Sequence, residues 1–277
     1  MRNPWGLLPN TISTAIAPAR LRLGKKSRKI LCIFLRFFTF ASLAQERFRD
    51  ESAFGNRPPW EKLAQKDPYF YIATSVETVA DDTRNFWQSG EKNYQQFILP
   101  LLKQYNVANQ CALDFGCGVG RYAFPLAGYF KKVIGVDTAE TMRRIGRQEA
   151  QKRGLNSVEF LDSAEFYSRP LQCDFIYSTH VFQHLENQDE IAKIIERFKE
   201  VLRGYAYLHF DTRPKDYAYV LKYLLPDLFL PKTKKRGMRR VRRDVQKLRD
   251  MFSECGFQIV KEFNPGTEFH YFFLRHL

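Results

Sequence analysis

The sequence predicts a doubly wound α/β fold, and three observations carry that prediction. Five short apolar runs alternate with amphipathic stretches of helical spacing between residues 111 and 211. A glycine-rich turn, "GCGVG" at 116–120, follows the first run directly. After Asp211 the rhythm changes, and the chain closes with one more helical pattern and two further apolar runs. Strand–helix alternation of this kind favours a largely parallel sheet with helices on both faces.

The elements follow in order. The first 56 residues stand apart: before Glu46 there are eight Lys or Arg and no acid. Within them "ILCIFLRFFTFASLA" (30–44) is strongly apolar but interrupted by Arg36, and too short to cross a bilayer. Three readings fit it equally: an interfacial helix touching a membrane surface, a targeting peptide, or a non-native start. "FGNRPPW" then reads as a linker into a domain spanning 57–277. "SGEKNYQQFILPLLKQY" (89–105) predicts a helix capped by Ser89 and kinked at Pro100. The strands expected next are "CALDF" (111–115), "KVIGVD" (132–137), "SVEFLD" (157–162), "CDFIYST" (173–179) and "YAYLHFD" (205–211). Helices are expected near 121–130, 138–153 and 188–203, the last ending at Gly204 as its C′ residue. A segment at about 213–240 precedes a helix over 241–254 and closing strands "FQIVKEF" and "HYFFLRHL".

Composition bounds the partners. The formal net charge of +14 favours anionic ones, but the excess is local: the N-terminal segment and "KTKKRGMRRVRR" (232–243) hold much of it. Two solvated basic surfaces would account for the same charge. Five cysteines, at 32, 111, 117, 173 and 255, include no C-x-x-C pair. That pattern predicts neither a disulfide framework nor a metal site, and it fits a reducing, cytoplasmic setting.

The turn at 116–120 carries the chemistry. Its glycines allow a ligand to approach the backbone closely, at the carboxyl end of the first strand. A dinucleotide fingerprint would place a third glycine one residue later, where Arg121 stands. Asp137 ends the second run, where an acid accepts bonds from ribose hydroxyls, and Asp162 ends the third. Asp114 would repel a pyrophosphate. It would favour a ligand carrying an ammonium and a sulfonium, which points to S-adenosylmethionine rather than a nicotinamide.

With those motifs in order, the chain from about residue 86 resembles the class I S-adenosylmethionine-dependent methyltransferases. "LDFGCGVGRYAFPLA", "VIGVDTAETM", "VEFLDSAE" and "DFIYSTHVFQHL" carry the resemblance. It implies a Rossmann-like seven-stranded sheet ordered 3-2-1-4-5-7-6 with the last strand antiparallel. It implies that Gly116, Cys117 and Gly118 line the methionine portion of the cofactor. Asp137 would bind ribose, with Thr138 and Met142 near ribose and adenine. Asp162 and Ser163 would meet adenine, and Ser178 and Thr179 would border the methyl group. Cys117 is also readable simply as a small residue in a tight turn.

The acceptor is less legible, because a sulfonium is already activated and the protein mainly aligns the reactants. No Asn- or Asp-Pro-Pro-aromatic stretch follows the fourth strand, which disfavours amino-group methylation of nucleobases. His180 is the candidate general base, with an ordinary pKa suited to neutral pH; His184, four residues on, reads as structural. The aromatic and basic segment 213–240 would suit an acceptor with an apolar body and an anionic group. The expected acceptor is therefore a small molecule. RNA is the alternative by charge, without a recognisable RNA-binding module, and a non-catalytic cofactor-binding protein is the alternative of another class.

Overall fold

The computed structural model describes residues 60–72, 83–225, 229 and 240–277. The extension 1–56 and residues 226–228 and 230–239 of the expected insertion lie outside the described residues.

Two short helices open the described chain, α1 (Trp60–Lys66) and α2 (Pro68–Ile72). Next comes α3 (Arg84–Asn93), which runs through a widened π-type turn at Tyr94–Ile98 into α4 (Leu99–Gln104). The helix therefore starts five residues earlier than Ser89, which is no cap: its Oγ donates to the Phe86 carbonyl within the helix. Pro100 sits in the first turn of α4, where its missing N–H costs least.

The sheet follows as β1 (Cys111–Phe115), β2 (Lys132–Val136), β3 (Val158–Leu161), β4 (Cys173–Ser178) and β5 (Leu202–Phe210). Between them lie α5 (Ala123–Leu126), α6 (Glu140–Lys152), α7 (Ser163–Ser168) and α8 (Gln188–Val201). After α9 (Tyr217–Leu224) and α10 (Val245–Glu254), the sheet closes with β6 (Phe257–Phe263) and β7 (His270–His276). The strand order is β3-β2-β1-β4-β5-β7-β6, as expected, with β7 running antiparallel between β5 and β6.

The period of two along each strand splits the core between two faces. Leu113, Ile134 and Ile176 pack with Phe198 and Phe252 on one side. Ala112, Val133 and Phe175 pack with Leu102, Leu126 and Phe130 on the other. Burial on both faces explains why the strands read as nearly continuous apolar runs.

Gly204 is not a C′ residue. The chain passes from α8 directly into β5, and Gly204 lies within that strand. A Cβ there would stand 2.3 Å from the Asp174 carbonyl oxygen, beside the register shift between β4 and β5. Glycine is needed at that point for close approach of two backbones, not for ending a helix.

Cys111 and Cys173 are neighbours, 3.2 Å apart at sulfur, because β1 pairs with β4. Both are free thiols. No helix among the described residues is long and apolar enough to cross a membrane.

Candidate functional site

In a sheet of this order the first crossover reverses between β1 and β4, so ligands bind at the carboxyl ends of those strands. The turn after β1 is held from beneath. The Gly116 and Cys117 amides both donate to the Val136 carbonyl, at 2.7 and 3.0 Å. Gly116 has φ +76° and Gly118 φ +55°, conformations that side chains disfavour. A Cβ on Gly116 would meet Val181 Cγ2 at 2.0 Å, and one on Gly118 would meet Ile72 Cδ1 at 2.6 Å. The turn is thus clasped by α2 on one side and by the segment after β4 on the other.

Asp137, just past β2, binds this turn. Its Oδ2 accepts from the Gly118 amide and its Oδ1 from the Ala139 amide, each at 2.9 Å. Arg143 donates to the Asp137 carbonyl at 2.7 Å. Each carboxylate oxygen can accept a second bond, and the residue is only half-buried. Burial raises its pKa, partly offset by the Ala139 and Gly118 amides and the Arg143 charge.

Asp114 behaves differently. It is 3% exposed, and its Oδ2 has no partner. Burial, then the negative charge of Asp137, pushes its carboxyl up to about 8, and the Ala123 amide offsets this in part. An acid held without a counter-charge is a receptor for a cation. That orphaned oxygen and the spare capacity of Asp137 fit a ligand with an ammonium or sulfonium at one end and ribose hydroxyls at the other.

The remaining expected residues divide. Cys117 is buried with its sulfur turned to Gly135, where a Cβ would lie 2.8 Å away. Burial, then the charges of Asp137 and Asp114, lifts its thiol well above the ordinary range, so it is a packing residue and no nucleophile. Thr138 is exposed. Met142 is buried with Val119, Ala139 and Phe86, against which Ile72 also packs. Asp162 caps α7, accepting from the Glu165 amide while Glu165 accepts from its own. Ser163 opens that helix and is half-buried. Ser178 is fully buried and spends its hydroxyl on the Phe115 carbonyl, tying β4 to β1. Thr179 stands beside the Tyr271 hydroxyl.

His180 departs from the expectation of an ordinary pKa. It has φ +59°, and its amide donates to His209 Nδ1 at 3.1 Å. His209 in turn contacts the Glu268 carbonyl through Nε2 at 2.8 Å, which fixes its tautomer as Nε2–H. Burial, then the neighbouring His209 and Arg240, drives the His180 pKa well below 6.5. Its Nδ1 has no partner. His184 ends a single turn, Phe182–His184, with its ring edge-on to Trp60 at 5.2 Å.

Sequence reasoning missed three contributors. Tyr271 on β7 joins Tyr207 in stacking at the edge of the site, where Tyr122 meets Tyr177. Glu61 of α1 accepts from the Thr141 amide and hydroxyl, at 3.1 and 2.5 Å, and so caps α6 beside Asp137. Arg121 is buried against α3. Only Arg121 left a trace in the sequence, as a charge inside an otherwise uncharged run.

Comparisons with known proteins bear on the family and the fold. A family model described as a methyltransferase domain matches residues 113–210. An uncharacterized methyltransferase of Bacillus velezensis is 28% identical over 155 residues, covering 52% of this chain and 68% of that protein. A 23S rRNA (uracil(1939)-C(5))-methyltransferase of Pectobacterium atrosepticum is 30% identical over 99 residues, covering 35% of this chain and 22% of that protein. Magnesium protoporphyrin IX methyltransferase from Synechocystis, solved with bound S-adenosylhomocysteine, superposes with a TM-score of 0.58 at 20% identity, over 80% of this chain and 98% of that one. A methyltransferase structure from Clostridium acetobutylicum gives 0.55 at 13%, over 78% and 98%. At these identities the structural likeness is one of fold.

Proposed function

We propose that the chain, as a class I S-adenosylmethionine-dependent methyltransferase, methylates a small-molecule acceptor held at the carboxyl ends of β4 and β5 and the amino end of β7. The observation that carries this reading is the lining of that edge: Tyr271, His180 and Phe269, aromatic surfaces gathered around His209 and Arg240. Such a wall takes up an apolar body, and Arg240 offers a charge to an anionic group, although Glu268 already pairs with it at 2.8 Å. The porphyrin substrate named for the Synechocystis neighbour has this character.

The bound cofactor supplies a methyl group on a sulfonium, already activated for in-line displacement. The chain's own residues then hold, shield and deprotonate. Asp137 orients the ribose through the oxygen capacity left by Gly118 and Ala139. Asp114 favours the cationic end, and the glycine turn with Val181 and Ile72 excludes water. His180, neutral at pH 7 with Nδ1 unpartnered, accepts the acceptor's proton where the acceptor is a hydroxyl. Thr138, Met142, Asp162 and Ser163 would bound the adenosine, and Ser178 and Thr179 the methyl end.

RNA is the second reading, favoured by the net charge of +14 and by the rRNA-methylating relative. Cell extract incubated with the protein and methyl-labelled cofactor separates them. Label in a ribonuclease-resistant small-molecule fraction is expected. Label in RNA, lost on ribonuclease treatment, would overturn the small-molecule reading.

A further inference from the structure

Large apolar side chains left in water are few on this chain, and they cluster. Nine are exposed among the described residues, and four of them, Tyr217, Val220, Leu225 and Phe229, follow β5 in one stretch. Tyr217 is 97% exposed and Phe229 71%. Tyr217 and Val220 stand three apart on α9 and so share a face. Tyr219 lies on the other side of the helix. Its hydroxyl accepts from the Arg242 amide at 3.0 Å, and its ring lies under the Arg242 guanidinium. The described residues thus hold one side of α9 and leave the side with Tyr217 and Val220 in water, the mark of an interaction surface.

Both ends of this stretch are fixed at the acceptor edge. At its start Arg213 forks onto the Asp211 carboxylate, at 3.1 and 2.6 Å. At its end the Arg243 amide donates to the Asp211 carbonyl at 2.8 Å. The Val241 amide donates to the Gln183 carbonyl at 2.7 Å, in the segment after β4 that carries His180. Arg240 lies over the Phe269 ring, which meets that of His180.

Charge decides which partner the apolar side chains meet. Eight Lys or Arg and no acid lie between Phe229 and Asp244. Arg240, Arg242 and Arg243 are engaged by Glu268, Asp216 and Gln188. The other five, from 232 to 239, lie outside the described residues, and their charge is a property of the sequence. Aromatic and aliphatic side chains next to unbalanced cations match a bilayer with anionic headgroups: the apolar groups enter the headgroup boundary and the cations meet the phosphates. RNA would take the cations and a stacked ring but would leave Val220 and Leu225 in water.

We propose that Tyr217, Val220, Leu225 and Phe229 dock this edge of the protein on an anionic lipid bilayer, and that the acceptor is a lipophilic molecule taken up from that surface. The second clause rests on the small-molecule reading of the same edge. Docking removes the four side chains from water, and it lets an apolar body pass from lipid to the wall of Phe269 and Tyr271 without crossing water.

Vesicle flotation with the full chain tests the docking. The protein should bind vesicles of phosphatidylcholine mixed with phosphatidylglycerol, and should bind phosphatidylcholine alone at least ~10-fold more weakly. Tyr217→Ser, Val220→Ser and Phe229→Ser combined keep every charge and should weaken binding to the mixed vesicles by ~10-fold or more. Unchanged affinity for S-adenosylhomocysteine, by calorimetry, reports that the variant is folded. Should it fail to fold, Tyr217→Ser alone, the most exposed of the set, should still weaken vesicle binding. Binding equal in variant and wild type, whether carried by residues 1–56 or by charge alone, would overturn the proposal. So would another occupant: poly(U) RNA bound in place of vesicles and lost in the variant, or a wild-type dimer in sedimentation velocity that the variant makes monomeric. Cell extract with its membranes retained, given methyl-labelled cofactor, reads the acceptor. Label in the lipid phase is expected. Label in water-soluble small molecules would overturn the lipophilic acceptor and leave the small-molecule reading in place, whereas label in RNA would overturn both.

Discussion

Asp114→Asn should make the cofactor-free protein more stable as pH rises, relative to the wild type, while weakening its hold on the cofactor. The carboxyl is 3% exposed, and burial with the Asp137 charge moves it from 3.8 to about 8 in the folded chain. Between those values the folded state keeps a proton that the unfolded state has lost. Stability is therefore fully present below pH 4, falls by about 1.4 kcal/mol for each pH unit above it, and levels off once pH passes the folded pKa. From pH 5 to pH 8 the loss from this one group is roughly 4 kcal/mol, a large share of a domain's usual stability. Asparagine keeps the shape and an acceptor for the Ala123 amide but does not titrate. Urea unfolding of both proteins at pH 5 and pH 8 measures the effect, and groups common to both largely cancel in the difference. Parallel pH slopes, within about 1 kcal/mol across that range, would refute the reasoning. The same linkage reaches binding. A cation seated on Asp114 favours the ionised form, so cofactor binding should expel a proton and tighten about tenfold per unit from pH 5.5 to pH 7. Calorimetry in buffers of different ionisation enthalpy reads that proton directly.

Three further outcomes are expected. Asp137→Ala should weaken cofactor binding by about 1.5–3 kcal/mol for each ribose bond lost; it should also lower the melting temperature, because Gly118 and Ala139 lose their acceptor, and unchanged calorimetric affinity would remove the ribose assignment. His180→Asn should slow turnover by about 10²–10⁴-fold without changing cofactor affinity. Because its pKa is driven well below 6.5, the wild-type rate should fall only as pH drops through that lower range, and the variant should lack this acidic limb; a near-normal rate would reduce His180 to a lining residue. A chain shortened to begin near Pro58 retains α1, with Glu61 on Thr141 and Trp60 on His184, and should melt cooperatively and bind cofactor normally. Loss of either property would place residues 1–56 within the domain.

The sequence by itself determined what is written in local periodicity. All seven strands stand where the apolar runs lie, and the inner strands read most plainly, because a strand buried on both faces has to be apolar along its length. The glycine turn and the acid after β2 were legible for a similar reason: backbone approach and strand-end position are properties of a few consecutive residues. Short elements with no room for a period were not legible, and α1 and α2, of seven and five residues, went unread. Local rules also failed where a distant backbone set the demand. Gly204 looks like a helix terminator, yet it is glycine because Asp174 crosses it, and Ser89 looks like a cap, yet it receives Arg121 from 32 residues away. The Cys111–Cys173 contact and the Glu61 cap on α6 join residues 62 and 80 apart. Ionisation belongs wholly to the tertiary structure. Asp114 and His180 are ordinary titrating side chains in the sequence; only packing takes water from them, and desolvation in the folded core moves one pKa up and the other down.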